Sequence, residues 1–253
     1  MKITFLGTGT SQGVPMIGCK CEVCQSKDSK DNRLRSSVWI QKGDTSVVID
    51  TGPDFRSQML RAKVDKLDAV LFTHEHKDHL AGFDDIRAFN YIQKCKMDVF
   101  ATLHVQQAIR REFAYIFDAF KYPGIPEIEF NTITDQAFQI GELKVEPIGL
   151  MHYKLPVTGF KIGGFVYITD ANAISDAEKQ KIIGADVLVI NALRKEKHIS
   201  HFSLSEALDL IAELKVKKAY LTHISHQLGL YEQVKNELPP HVYLAYDGLE
   251  ING

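Results

Sequence analysis

The sequence predicts an α/β domain in which two β-sheets pack face to face with helices on the outside. Three observations carry that prediction. Strand-like runs come first along the chain, and helix and strand then alternate, twice over. No Pro/Ser-rich linker or low-complexity tract divides the 253 residues, so 1–253 reads as one domain long enough to bury a sizeable core. The composition, 45% hydrophobic and 25% charged, is that of an ordinary globular protein.

Each element has its own signal. Lys2 to Leu6 is a strand-like run, Gly7 to Gly18 a glycine-punctuated loop, and Ser26 to Arg35 a polar stretch after a cysteine-bearing loop. Ser37 to Gln41 and Ser46 to Asp50 carry β-branched residues that alternate or run together, with Lys42-Gly43-Asp44 between them as a hairpin turn. Asp54 to Ala62 reads as a short helix leading to the buried strand Ala69 to Phe72, which stops at Thr73. From Phe83 to Phe117 the pattern is mostly helical, broken by a short strand at Asp98 to Ala101, and Tyr122 to Pro126 is a loop. Strands recur at Ala137 to Ile140, Leu143 to Gly149, Thr158 to Ile162 and Phe165 to Thr169. Ser175 to Ile183 and Ser203 to Leu214 are helices, each opened by a serine with a glutamate three residues on, Glu178 and Glu206, the pattern of a capping box. Val187 to Ile190, Ala219 to Leu221, Tyr243 to Tyr246 and Leu249 to Ile251 supply the last strands, and the two halves are loosely similar without a clear repeat.

Charge narrows the function classes. Thirty basic and 32 acidic residues leave a net charge of −2, without the basic excess of a protein that coats nucleic acid. Stable nucleic-acid binding is therefore not expected, whereas a small anionic substrate needs only a few local cations. No apolar run approaches the roughly 18–20 residues that cross a bilayer, so no membrane association is expected. The opening MKITFLGTGTSQGVP lacks the long apolar centre of a secretory leader, which points to the cytoplasm. Cys19, Cys21 and Cys24 crowd together while Cys95 stands apart. In a reducing compartment such crowding points to metal rather than a disulfide.

The strongest local signal is Thr73-His74-Glu75-His76-Lys77-Asp78-His79, four metal-capable side chains within six residues. They follow a buried strand, so a rigid element anchors them, and imidazole with carboxylate suits zinc and similar metals. One loop cannot complete such a site. His152, Asp170 and His223 each lie just past an apolar strand, where loops meet at a sheet edge, and make a set of seven.

The pattern His-x-His-x-Asp-His with the later histidine, aspartate and histidine resembles the metallo-β-lactamase superfamily over essentially the whole chain. That resemblance implies a four-layer αβ/βα sandwich with two mixed sheets and a binuclear site between them. It places His74, His76 and His152 on one metal, Asp78, His79 and His223 on the other, and Asp170 as a bridge. Asp50, in Val47-Val-Ile-Asp-Thr-Gly, matches the early aspartate that orients the site without touching metal. Two such divalent metals, zinc or manganese, lower the pKa of a shared water and polarise the substrate oxygen. Redox relatives are expected to carry glutamate where this chain has His76, which favours hydrolysis.

Gly7-Thr-Gly-Thr-Ser-Gln-Gly-Val-Pro15 precedes Gly18-Cys-Lys-Cys-Glu-Val-Cys24, and Leu221-Thr-His-Ile-Ser-His-Gln227 lies near the end. Three thiolates need one more ligand for a tetrahedral zinc, and His226, three residues past His223, is the candidate. The N-terminal loop at 18–26 is thus read as a zinc-binding loop. These segments resemble the phosphoribosyl cyclic phosphodiesterase subfamily of the bacterial carbon–phosphorus lyase pathway. That resemblance implies a third, structural zinc and a catalytic pair that splits a small cyclic or activated phosphodiester. It makes His201 the proton donor to the leaving oxygen, with His198 a weaker rival, and a histidine suits that role because its pKa lies near neutrality. Asp78 and Asp50 join His201 as catalytic candidates, and Lys154 after Tyr153 is a candidate substrate contact. The segment 83–126 carries no readable motif. A tRNA 3′-processing endonuclease, a lactonase or thioesterase, and a metal-bound protein without turnover are the alternatives. A homodimer is compatible with everything above.

Overall fold

Two mixed sheets form the centre of the computed structural model, which describes residues 1–120 and 122–253. The first half of the chain supplies β1 (Lys2–Gly7), β2 (Ser37–Lys42), β3 (Thr45–Ile49), α1 (Phe55–Ala62), β4 (Ala69–Leu71), α2 (Lys77–Leu80), α3 (Arg87–Gln93), β5 (Met97–Ala101), α4 (Leu103–Glu112) and β6 (Ile128–Thr132). The second supplies β7 (Phe138–Ile140), β8 (Leu143–His152), β9 (Leu155–Ile162), β10 (Phe165–Tyr167), β11 (Ala173–Ile174), α5 (Asp176–Ile182), β12 (Val187–Asn191), α6 (Leu204–Leu214), β13 (Lys218–Thr222), α7 (Tyr231–Val234), β14 (Val242–Leu244) and β15 (Glu250–Asn252).

The first sheet has the order β15-β1-β2-β3-β4-β5-β6, antiparallel up to β3 and parallel beyond it. The second runs β11-β8-β9-β10-β12-β13-β14, antiparallel up to β10 and parallel beyond it, with β7 paired to β8. Each sheet therefore repeats one plan, which is the physical content of the loose similarity between the halves.

Three apolar clusters hold the layers together by removing side chains from water. Between the sheets, Ile3, Phe5, Ile40 and Leu71 of one face meet Val145, Phe160, Tyr167 and Val189 of the other. Outside the first sheet, Val48, Val70 and Val99 pack on Phe55, Phe89 and Ile109 of the helices. Outside the second, Leu188, Ile190 and Leu221 pack on Ala207, Leu210 and Leu214 of α6. The result is the αβ/βα sandwich. No helix of the described residues is long and apolar enough to cross a membrane.

Several sequence expectations need correction. The strands read as 143–149 and 158–162 extend to 143–152 and 155–162, joined by the tight turn Tyr153-Lys154, in which Tyr153 takes φ 57°. Ile128–Thr132 is a strand where none was expected, a half-exposed edge whose alternation is short, with Ile128 and Phe130 its apolar positions. In α5, Ser175 caps the helix, but the Glu178 carboxylate accepts from Gly149 N at 2.9 Å instead of closing the box. The box at Ser203 and Glu206 is complete. Within 83–126 the helical pattern resolves into α3, α4 and two 3-10 turns flanking β5, and residue 121 lies outside the described residues.

Candidate metal centre

The parallel halves of both sheets aim their carboxyl ends at one edge, the usual place for a site in an α/β fold. Asp50 follows β3, His74 to His79 follow β4 and start α2, His152 ends β8, Asp170 follows β10 and His223 follows β13. Asp50, Asp170 and His223 have φ of 65°, 54° and 54°, a left-handed conformation that costs a non-glycine residue about 1–3 kcal/mol. The turn swings each side chain off its strand toward the shared edge. Gly52 lets the loop after β3 touch the histidine-rich segment, since a Cβ there would lie 2.1 Å from Asp78 O.

Seven side chains converge in two groups that share one residue. One donor atom from each of His74, His76, His152 and Asp170 lies within 4.8 Å of the others, and so it is for Asp78, His79, Asp170 and His223. Asp170 Oδ1 stands 2.9 Å from His223 Nδ1 and 3.3 Å from His79 Nε2, while its Oδ2 is 3.8 Å from His74 Nε2. His79 Nε2 is also 3.1 Å from Asp78 Oδ2. Despite these approaches, Nε2 of both His74 and His79 is buried without a hydrogen-bond partner. Buried polar atoms are normally paired. Lone pairs that face one another at this spacing, unbonded, fit cations held between them, and the donor set of imidazole and carboxylate suits divalent metal.

The electrostatics point the same way. Burial opposes charge on His79, yet Asp170, Asp78 and Asp50 outweigh it and drive its pKa well above the usual imidazole range. Burial likewise opposes charge on Asp170, but His223 and His79 hold it well below the ordinary carboxylate range. Three carboxylates at one buried spot thus demand positive charge. Burial, then His79, pushes His74 far down, and burial lowers His152, leaving both rings neutral with lone pairs for a metal.

Around these donors lie residues that fix them. Asp50 accepts from Thr73 N at 2.9 Å and Thr73 Oγ1 at 2.8 Å, and its Oδ2 meets His79 Nδ1 at 2.7 Å. A carboxylate behind an imidazole sets its tautomer and orientation, and Asp50 stands directly behind the His79 ring. Several partners escaped the sequence reading. Ser200 O meets His152 Nδ1 at 2.8 Å, Thr10 Oγ1 lies 3.2 Å from His223 Nε2, and Thr169 Oγ1 donates to Asp170 Oδ1 at 2.6 Å. Buried Asn191 exchanges two 2.9 Å bonds with the Ala171 backbone, bracing the turn after Asp170. Thr73 and Thr169 adjoin His74 and Asp170 in sequence, which is a usable signal; Ser200 and Asn191 carry none.

A second cluster joins the N-terminal loop to the segment after His223. Bridges between Gly9 and Ile224, with Thr10 N→Ile224 O at 3.1 Å and Ile224 N→Thr8 O at 2.9 Å, bring the two together. One donor each from Cys19, Cys21, Cys24 and His226 lies within 4.8 Å of the rest. His226 Nδ1 is 3.2 Å from Cys21 Sγ and 3.6 Å from Cys19 Sγ. Backbone N–H groups of Cys21, Cys24 and Met16 point at the sulfurs of Cys19, Cys21 and Cys24, at 3.4–3.5 Å. The bond from Cys24 N and then His226 lower the Cys21 thiol to about 6, whereas burial raises Cys24 to about 11. Such N–H···S contacts favour thiolate, the ligand form.

His201 presents Nε2 to the first cluster, 3.3 Å from Asp170 Oδ2, and its ring stacks on His223 with centroids 5.0 Å apart. Its Nδ1 faces Ser200 Oγ at 3.0 Å and His198 Nδ1 at 3.2 Å. Burial holds its pKa below the usual imidazole value. His198 has no donor in either cluster. Lys154 is exposed at the β8–β9 turn, its ammonium 5.3 Å from the Tyr153 ring centroid. A cavity of about 870 Å³ adjoins the strand that carries His152, lined by Met151, Leu155, Val157 and Ile174 with His104, which bonds Glu75 at 2.9 Å. A more polar one of about 350 Å³ is lined by Thr10, Ser11, Gln12, Arg194, His198 and Gln227.

Comparison with known proteins agrees with this geometry. Residues 45–224 match the family described as a β-lactamase superfamily domain. A Porphyromonas gingivalis protein named octanoyltransferase is 40% identical over 99% of this chain and 51% of its own, so the chain spans about half the length of that curated relative. A crystal structure of a diphosphatase from the PhnP family is 37% identical, with a TM-score of 0.93 over 99% of this chain and 96% of that one. Zinc-bound PqqB from Methylobacterium extorquens, at 18% identity and full coverage of both chains, shares the fold with a TM-score of 0.81.

Proposed function

The chain belongs to the β-lactamase superfamily, and from that premise we propose that it is a metal-dependent hydrolase, a binuclear phosphodiesterase acting on a small cyclic or activated phosphodiester. The observation that carries the reading is Asp170, the one side chain common to both ligand groups. His74, His76 and His152 with Asp170 would hold one divalent metal, and Asp78, His79 and His223 with Asp170 the other. Zinc is the preferred ion for these donors, as in the similar PqqB fold, with manganese the alternative. Bound there, the pair supplies an activated water and Lewis-acid stabilisation of charge on the phosphoryl oxygens. Cys19, Cys21, Cys24 and His226 would hold a third, structural zinc.

The residues of the chain do the rest. Asp50 and Ser200 O each accept from an Nδ1–H, so His79 and His152 are held in the same tautomer with Nε2 toward the cluster, and both rings stay aimed without reorganising. His201, with Nε2 facing the cluster, hands a proton to the departing oxygen. Its depressed pKa leaves it neutral before substrate arrives, and an anionic phosphodiester beside the ring favours the charged form it needs. The diphosphatase likeness supports phosphorus chemistry, because that protein matches this one nearly end to end. The name octanoyltransferase belongs to a polypeptide about twice as long, so acyl transfer is not assigned to this chain.

A hydrolysis panel tests the proposal. A cyclic phosphodiester, a linear 4-nitrophenyl diester, a diphosphate, precursor tRNA and an octanoyl ester are compared on protein whose metal content has been measured. Turnover is expected on the first two, with about three metals per chain. Cleavage of precursor tRNA or the octanoyl ester with both diesters untouched would sink it.

A further inference from the structure

Resting on the reading that His201 serves the leaving oxygen, we infer that Arg194 is the positioning residue that holds it, tying the His201 loop to the cysteine–histidine cluster. Residues 194–203 leave the end of β12 and return to α6 as a closed loop. Its neck is stitched by Leu193 N→Phe202 O at 3.0 Å and Leu204 N→Arg194 O at 2.8 Å. Between Leu193 and Phe202 the loop has no buried apolar residue, and Ile199 is 66% exposed. Packing therefore does little to fix its shape, and polar ties must do so.

Arg194 supplies three of them from one plane. Its Nε donates to Glu196 O at 3.3 Å and Nη2 to Lys197 O at 3.1 Å, curling the outgoing limb onto the guanidinium. Its Nη1 donates to Gln227 Oε1 at 3.0 Å, and Gln227 follows His226 directly. The far limb is held by Asn172 Nδ2→Ile199 O at 3.0 Å and by the contact of His152 Nδ1 with Ser200 O. The two limbs meet at His198, Ser200 and His201, whose side chains touch. The cysteine–histidine cluster thereby does more than staple the N-terminal loop, because through Gln227 and Arg194 it sets where the His201 ring stands. Lysine cannot replace the arginine, because a single ammonium has no planar fork that reaches three acceptors.

The test compares holoenzyme Arg194→Gln and Arg194→Lys with wild type on two diesters differing only in leaving group. A 4-nitrophenolate departs without a proton, whereas an alkoxide needs one. Both variants are expected to lose about 10- to 100-fold in kcat on the alkyl diester, part of the usual general-acid contribution, and less than about threefold on the nitrophenyl diester. His201→Ala should show the same split. A merely structural role would lower both substrates equally, and that result, or an undiminished alkyl rate, overturns the inference. Hydrogen exchange supplies a readout independent of turnover. In Arg194→Gln, amides 195–201 should exchange about 10-fold faster with β12 unchanged, since three local bonds are lost. If His201→Ala shows no split, the leaving-group reading fails, and the exchange result alone decides the tie: faster exchange keeps Arg194 as the anchor, unchanged exchange overturns it.

Discussion

The two donor clusters are built on opposite principles. In the histidine–aspartate cluster, His74, Asp170 and His223 after strands and His79 in α2 are fully or almost fully buried, and three carboxylates leave positive charge in demand. In the cysteine–histidine cluster all four residues are half-exposed, three on loops and Cys24 in a single 3-10 turn, and the backbone itself reaches toward the sulfurs. Strained strand ends and buried ion pairs therefore set the first, whereas backbone N–H groups of a loop set the second. The difference teaches that four donors can be brought within 4.8 Å of one another either by strained strand ends or by loop backbone alone.

The largest expected effect falls on the residue both ligand groups share. Asp170→Ala removes a carboxylate that touches His79, His201 and His223. Loss of several kcal/mol of transition-state stabilisation corresponds to about a 10³-fold fall in kcat or more. Steady-state rates alongside metal analysis check it, and a variant with both catalytic metals and near-normal turnover would break the comparison at its root. Asp50→Ala comes next. Asp50 belongs to neither donor group, but its loss frees the His79 ring and leaves Thr73 N unpaired, so affinity for a metal at His79 should weaken about 10- to 100-fold. Chelator competition measures this, and the site at His74, His76 and His152 should change less.

Cys21→Ser attacks the soft cluster. One metal of about three should be lost, with activity on a nitrophenyl diester kept within about tenfold and proteolysis appearing at 18–26, where the loop loses its tie. Equal collapse of both activity and catalytic metal content would erase the distinction between scaffolded site and staple.

Much of this contrast is legible in the sequence because it is written in local patterns. Thr73 to His79 announces itself by density, and His152, Asp170 and His223 by their place after apolar strands that prove to be β8, β10 and β13. Cys19, Cys21 and Cys24 lie within one short loop. What stays hidden depends on long-range closure. Ser200 contributes through a backbone carbonyl, which has no sequence signature, and Asn191 braces Ala171 from 20 residues away. Ile128–Thr132 lies at a half-exposed edge, where Ile128 and Phe130 are the whole of its apolar alternation. The Glu178 carboxylate departs from its capping-box pattern because Gly149 N, far along the chain, competes for it more effectively than its own helix.

The smallest effect tests whether stability and site geometry are separable beside the first cluster. Ser203 lies two residues past His201 and closes a complete box on α6, with Oγ 3.4 Å from Glu206 N and Glu206 Oε2 accepting from Ser203 N at 2.9 Å. Ser203→Ala removes the cap and should cost about 1 kcal/mol, or about 2–4 °C in Tm for a chain of this size. Ser175→Ala, on α5, where Glu178 serves Gly149 instead, should cost about the same or less, because its box is not closed. If α6 acts only as a platform, urea unfolding will register the Ser203 change while the ratio of alkyl to nitrophenyl hydrolysis stays at the wild-type value. A shift in that ratio would mean that the start of α6, and not the 194–203 loop alone, sets the position of His201.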